Sequence, residues 1–144
     1  MAHLTGQERA RYVKRMFARI SRRYDLLNTV MTGGRHYAWR KRATRMAVEG
    51  LRGPALDIAT GTGDFAFDLA RRPEVTGVVG LDFTSDMLTL ANGKANRQKL
   101  SNLTTFAAGD AHALPFTDDQ LICAKVGFGI RTFIALPTAL REMV

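Results

Sequence analysis

Ten residues constrain this chain's fold more than any others: Leu56-Asp57-Ile58-Ala59-Thr60-Gly61-Thr62-Gly63-Asp64-Phe65. The apolar run from Ala55 to Ala59, interrupted by one acid, has the length and character of a buried strand. Glycines spaced Gly61-x-Gly63 break it, and Phe65, Ala66, Leu69 and Ala70 then recur at helical spacing. The predicted unit is strand, glycine loop, helix. Its glycines let the backbone approach a ligand closely, and the first turn of the helix offers N–H groups that have no intrahelical partner. Such a loop cradles a nucleotide-like cofactor.

Two cofactors fit the pattern. Gly61-x-Gly63-x-x-Ala66, with Asp82 about twenty residues further on, satisfies the dinucleotide fingerprint. S-adenosylmethionine, held by a similar first turn, fits as well, and two features favour it. Asp57 lies within the strand, four residues before Gly61, where it is expected to face a cationic aminoacyl group. An anionic pyrophosphate would gain nothing from that carboxylate. Gly109-Asp110-Ala111 follows a later strand, where an acid and a backbone amide suit an adenine edge. A glycine turn with no ligand is the plain alternative, and the ordered series Asp57, Asp82, Asp110 makes it the minority reading.

The rest of the chain supplies the frame. Residues 12–24 place Val13, Phe17, Ile20 and Tyr24 at helical spacing among Lys14, Arg15, Arg19, Arg22 and Arg23, which predicts a basic amphipathic helix. Tyr24 to Asn28 breaks that pattern, and Gly33-Gly34 marks a turn. A second helix is expected from about Arg35 to Val48, with Trp39, Ala43, Met46 and Ala47 inward and Arg40 outward among the other basic residues. Strands are then expected at residues 55–59, 78–81, 104–108 and 121–126. Helices are expected after the glycine loop as far as Arg72, from an N-cap at Ser85 to about Leu100, and after Pro137. Strands alternating with helices predict a doubly wound parallel sheet, and the acids at the strand ends would share one crevice. The expected organisation is a basic helical arm over residues 1–53 and a cofactor domain over residues 54–144.

Charge and cysteine content narrow the setting. The net charge is +8, yet residues 1–45 hold twelve Lys/Arg against Glu8 and Asp25, so the arm carries +10 and the remainder −2. Anionic lipid, nucleic acid or a solvated helix face are the partners such an arm admits. The lone Cys123 forms no internal disulfide, and no His/Cys/Asp/Glu cluster has ligand spacing for a metal. A reducing cytoplasm suits this composition.

Five stretches in order resemble the ubiquinone/menaquinone-biosynthesis C-methyltransferases. They are Tyr24-Asp25-Leu26-Leu27-Asn28 with Thr32, His36 and Trp39; the glycine loop; Val79 to Leu88; Gly109-Asp110-Ala111 with Leu114-Pro115-Phe116; and Gly127-Phe128-Gly129-Ile130-Arg131. The resemblance implies an S-adenosylmethionine-dependent methyltransferase of Rossmann-like fold. It implies that Thr62, Asp82, Asp110 and Ala111 bind the cofactor with the Gly127 position also at that site, beside Asp57, Gly61 and Gly63 of the loop reading above. The implied reaction is methylation of a ring carbon on a polyprenylated quinol, with Arg131 holding a phenolate oxygen or the water that takes the ring proton. His36 is expected to pin the N-terminal helices at least as much as to act in catalysis, and His112 is assigned nothing.

Three departures from the family pattern stand out. Thr132 replaces an asparagine, Ile122 replaces an acid, and the family continues past the position of Val144 with further strands. The chain is therefore expected to be an N-terminal half, with the C-terminal strands missing and Lys125 as the charge that blunts an open fourth strand. The expected partners are a lipophilic quinol, an anionic membrane surface met peripherally from the cytoplasm, and a second copy of the chain, with no nucleic acid. An RNA-binding methyltransferase and a non-catalytic cofactor-binding remnant are the competing readings.

Overall fold

Four parallel strands in the order β3-β2-β1-β4 form the sheet. The computed structural model describes residues 8, 12, 16, 23–127, 129, 130 and 133–143. Its elements are α1 (Tyr24–Thr32), α2 (Arg35–Val48), β1 (Gly53–Ile58), α3 (Asp64–Ala70), β2 (Val75–Asp82), α4 (Ser85–Arg97), β3 (Thr104–Ala108), β4 (Cys123–Val126) and α5 (Leu136–Glu142). The basic helix expected over residues 12–24 lies mostly outside the described residues.

β1 is the most buried strand because it has a partner on each side and cover on each face. The pleat sends Ala55 and Asp57 to one face and Leu56 and Ile58 to the other. Ala55 packs with Val48 of α2, with Ala66, Leu69 and Ala70 of α3, and with Val78. Leu56, Ile58 and Leu81 instead meet Leu114, Phe116, Phe133 and Met143. The helical arm and α3 therefore cover one face, while the segment after β3 and the end of α5 cover the other. Met87, Leu88, Ala91 and Ala95 give α4 its buried stripe.

Several expectations need correction. Residues 24–28 do not break the arm; they begin α1, which runs on to the left-handed pair Gly33 and Gly34. No glycine or proline interrupts it, and Thr29 and Thr32 return their hydroxyls to the carbonyls of Asp25 and Asn28 at 2.9 and 2.8 Å. In α2 the inward row is His36, Arg40, Thr44 and Val48, spaced by four, and Trp39 and Met46 are exposed. Thr84, not Ser85, occupies the N-cap of α4, and its side chain makes no capping bond. β2 starts earlier than expected, at Val75, and β4 later, at Cys123.

Lys125 lies on β4, the edge strand of the sheet among the described residues, but its side chain turns inward instead of guarding the open side. It stands in register with Asp57, on the face that α2 and α3 cover. Its ammonium donates to Thr44 Oγ1 at 2.9 Å and sits 4.2 Å from the centre of the Phe65 ring. Burial holds its pKa down, at about 8, against the opposing pull of Asp57.

Candidate functional site

The turn after β1 is tight because three residues within five adopt left-handed conformations: Ala59, Gly61 and Gly63, with φ of 53, 57 and 88°. A Cβ on Gly63 would also lie 2.9 Å from the Phe67 and Phe106 rings, so glycine is required there twice over. Thr60 N–H donates to the Leu81 carbonyl at 2.9 Å and Gly63 N–H to Thr60 at 3.0 Å, which fastens the loop to β2 and closes it on itself.

Two carboxylates hold this loop from within the protein. Asp57 Oδ2 accepts the Thr60 hydroxyl at 2.6 Å and the Ala66 N–H at 3.1 Å. With only 1% of its surface exposed, Asp57 lies beneath the loop and not in front of it. The sequence expectation has it facing an aminoacyl cation; here both of these hydrogen bonds go to the loop and the helix behind it, through Thr60 and Ala66. Burial raises its pKa to about 7, against the Thr60 bond and the charge of Lys125. Asp82 accepts Gly61 N–H through Oδ2 and Thr84 N–H through Oδ1, both at 2.8 Å. Burial raises its pKa as well, opposed by these backbone bonds.

A cavity of about 490 Å³ opens beside the loop at the carboxyl ends of β1, β2 and β3. Ile58, Leu81, Ala108 and Phe133 give it apolar walls, while Asp82, Asp110, Ala111 and His112 border it. Asp110 Oδ1 accepts both the backbone N–H of His112, at 2.9 Å, and its ring Nδ1–H, at 2.6 Å. The backbone bond leads in holding the Asp110 pKa below the usual carboxylate range. His112 Nε2 in turn accepts the Ala135 N–H at 3.2 Å, which places the imidazole proton on Nδ1. His112 thus ties the Asp110 turn to the entry of α5, with Phe133 edge-on to its ring at 5.8 Å. Sequence reasoning passed over His112. The available signal was the acid two residues before it, the spacing of a local side-chain turn.

A second, smaller cavity lies on the other side of Ala59, which lines both. Here the structure brings together Gly61, Thr62 and Gly127 with Asp25, His36 and Arg40. Gly129 presses on the same wall: a Cβ there would sit 2.3 Å from that of Ala59. His36 is buried, and its Nδ1 lies 2.7 Å from Thr32 Oγ1, joining α2 to α1. Arg131 and Thr132 lie outside the described residues.

A network of charge fixes the helices around this second cavity. Thr62 donates its hydroxyl to Asp25 Oδ1 at 2.6 Å. Lys94 donates to Asp25 Oδ2 at 2.7 Å, to Thr62 at 3.1 Å and to Asp64. Arg40 donates to Asp64 at 3.1 Å and to Asp68. One connected set therefore spans α1, the glycine loop, α2, α3 and α4. Its partners are charged and partly withdrawn from water, where such bonds are strongest. Thr62 spends its hydroxyl inside this set, a role its place in the loop did not announce.

Residues 4–144 match the model of the ubiE/COQ5 methyltransferase family. A demethylmenaquinone methyltransferase of Deinococcus radiodurans is 41% identical over 137 residues, which make up 95% of this chain and 56% of that protein. A 2-phytyl-1,4-naphtoquinone methyltransferase of Synechocystis is 38% identical, over 91% of this chain and 56% of that one. The chain thus spans about half the length of the curated relatives it matches. Among solved structures, the YcgJ protein of Bacillus subtilis superposes with a TM-score of 0.67 at 28% identity, covering 74% of this chain and 44% of its own. With the parallel sheet, the glycine loop and the acids at the strand ends in place, the chain belongs to the ubiE/COQ5 methyltransferase family.

Proposed function

We propose that the protein is an S-adenosylmethionine-dependent C-methyltransferase whose acceptor is the ring of a polyprenylated quinol. The observation that carries this reading is the cavity of about 490 Å³ with Asp82 and Asp110 at its border. Its size lies within the range of small-molecule sites. The residues there suit an adenosine: apolar walls for the base, and acids for hydroxyls and for an amino group. Each Asp82 oxygen accepts one backbone N–H, so lone pairs remain for the two ribose hydroxyls. Asp110 and the Ala111 amide are assigned to the adenine edge.

When bound, S-adenosylmethionine supplies a methyl group already activated by its sulfonium. The work left to the protein is alignment and removal of one ring proton. The loop of Gly61, Thr62 and Gly63, held from below by Asp57, fixes the position of the donor's reactive end. Ala59 lines both cavities, and Gly127, His36 and Arg40 border the second of them. Arg131 is proposed to hold the phenolate oxygen or the water that accepts the proton. The printed names of the two relatives, one of demethylmenaquinone and one of a phytyl-naphthoquinone, support a lipophilic quinone-type acceptor.

We also assign the chain a peripheral place on the cytoplasmic side of an anionic membrane. No helix among the described residues is long and apolar enough to cross a bilayer. Titration calorimetry tests the donor assignment. S-adenosylhomocysteine should bind at least about tenfold tighter than NAD, and Asp82→Ala should weaken that binding by about tenfold or more. Tighter binding of NAD would sink the reading.

A further inference from the structure

Helix α1 is built inside out. Its polar side chains face the protein: Asp25 takes bonds from Thr62 and Lys94, Thr29 meets the Tyr37 hydroxyl at 3.1 Å, and Thr32 meets His36. Its apolar side chains face outward, with Leu26, Leu27, Val30 and Met31 at 63, 42, 71 and 78% exposed. At the helical repeat these four positions form one continuous strip. A single exposed leucine is ordinary on a soluble surface. Four adjoining apolar side chains on nine residues of helix are a patch, and patches of that kind mark a contact.

The arm that carries the strip is strongly basic in sequence, with +10 over residues 1–45. Arg23 is exposed just before α1, and Arg35, Lys41, Arg42 and Arg45 are exposed on α2. In sequence, residues 8–22 hold six further Lys/Arg against the single acid Glu8. Asp25, the single acid of α1, is engaged on the inner face. An exposed apolar strip on a strongly basic arm complements a surface with anionic groups outside and hydrocarbon just beneath, which is the boundary of an anionic bilayer.

We infer that α1 lies on an anionic lipid bilayer with Leu26, Leu27, Val30 and Met31 seated in the acyl boundary, so that its inner face is the wall between the membrane and the second cavity. This rests on the peripheral membrane assignment above, and it adds the element that makes the contact and an apolar contribution that charge alone does not provide. Asp25 and Asn28 of the same helix line the second cavity. A lipid-borne acceptor thus passes beside α1 to reach the site and never crosses bulk water.

Sedimentation with vesicles of phosphatidylglycerol and phosphatidylcholine, at low and high salt, tests the inference. Val30→Gln with Met31→Gln changes two outward side chains and leaves the inner face alone. The pair should weaken vesicle binding at least about tenfold at low salt and abolish the part that survives high salt. If the pair lowers the thermal midpoint, Met31→Gln alone is read instead and should retain a clear part of the loss. Undiminished binding of the variants would overturn the role of α1 while leaving a purely electrostatic membrane contact standing. Absence of wild-type binding to any vesicle would remove both, with the S-adenosylhomocysteine titration still deciding the donor site. Loss of self-association by the pair in lipid-free ultracentrifugation would assign the strip to a second copy of the chain and overturn the inference.

Discussion

Asp57→Asn separates the position of this carboxylate in the structure from the one its place in the sequence suggests. Folding raises the Asp57 pKa from 3.8 to about 7. Between those values the unfolded chain has released its proton while the folded chain still holds one. Folding then takes up a proton, so rising pH removes stability across this window and nothing further above it. Each unit is worth about 1.4 kcal/mol, which puts the full loss near 4 kcal/mol. Asparagine has no charge to bury and keeps one carbonyl oxygen for Thr60 and Ala66. Relative to the wild type, the variant should therefore gain stability steadily from about pH 4 to pH 7 and hold that gain beyond. Urea unfolding followed by circular dichroism at intervals from pH 4.5 to 8.5 reads this directly. S-adenosylhomocysteine titration supplies the second half of the test. A carboxylate under the loop predicts a change in affinity of less than about threefold, and one facing a bound ammonium predicts a loss of about tenfold or more. Parallel stability profiles for the two proteins would refute the burial argument. A large loss of affinity would restore the direct contact.

Two further changes probe how the loop is held. Gly129→Ala places a methyl 2.3 Å from the Ala59 Cβ and should cost about 1–3 kcal/mol in a thermal melt. Adding Ala59→Gly, which also relieves a non-glycine φ of 53°, should recover most of that loss; no recovery would mean that the two residues do not oppose each other. Lys94→Met strips the shared cation from Asp25 and Asp64 and should destabilise the chain by about 1–2 kcal/mol, less at high salt, since both carboxylates retain some access to water. An unchanged melt would show that the network spanning α1 and α4 contributes no net stability.

The sheet was legible because its strands are short apolar runs, three of the four running into glycine turns, and because the alternation with helices leaves few topologies open. Thr104–Ala108 was readable to the residue, flanked as it is by polar turns. Asp82 and Asp110 were readable as a pair at one edge, since a parallel sheet carries the carboxyl ends of β2 and β3 to the same side. What a strand pattern does not report is which neighbour waits on each face. Asp57 and Lys125 share a face only once β4 is known to pair with β1, and only then does Asp57 pass from ligand contact to support beneath a loop.

The arm shows the limit of periodicity more sharply. Apolar spacing reports burial on the assumption that the inner side of a helix meets a hydrophobic core. α1 covers a polar site instead, so Asp25, Thr29 and Thr32 look like interruptions in the sequence and are the packed face in the structure. The row His36, Arg40, Thr44 in α2 misleads in the same way: a charged network and a lysine, not a core, lie under it. Both helices violate the usual pattern where they approach the second cavity, and α2 returns to it at Val48, where it reaches the core around Ala55. A run of polar residues at helical spacing, opposite an apolar strip that stands exposed, is then itself a signal. It marks a helix that stands between a polar site and an apolar surface, and the vesicle experiment asks whether that surface is lipid.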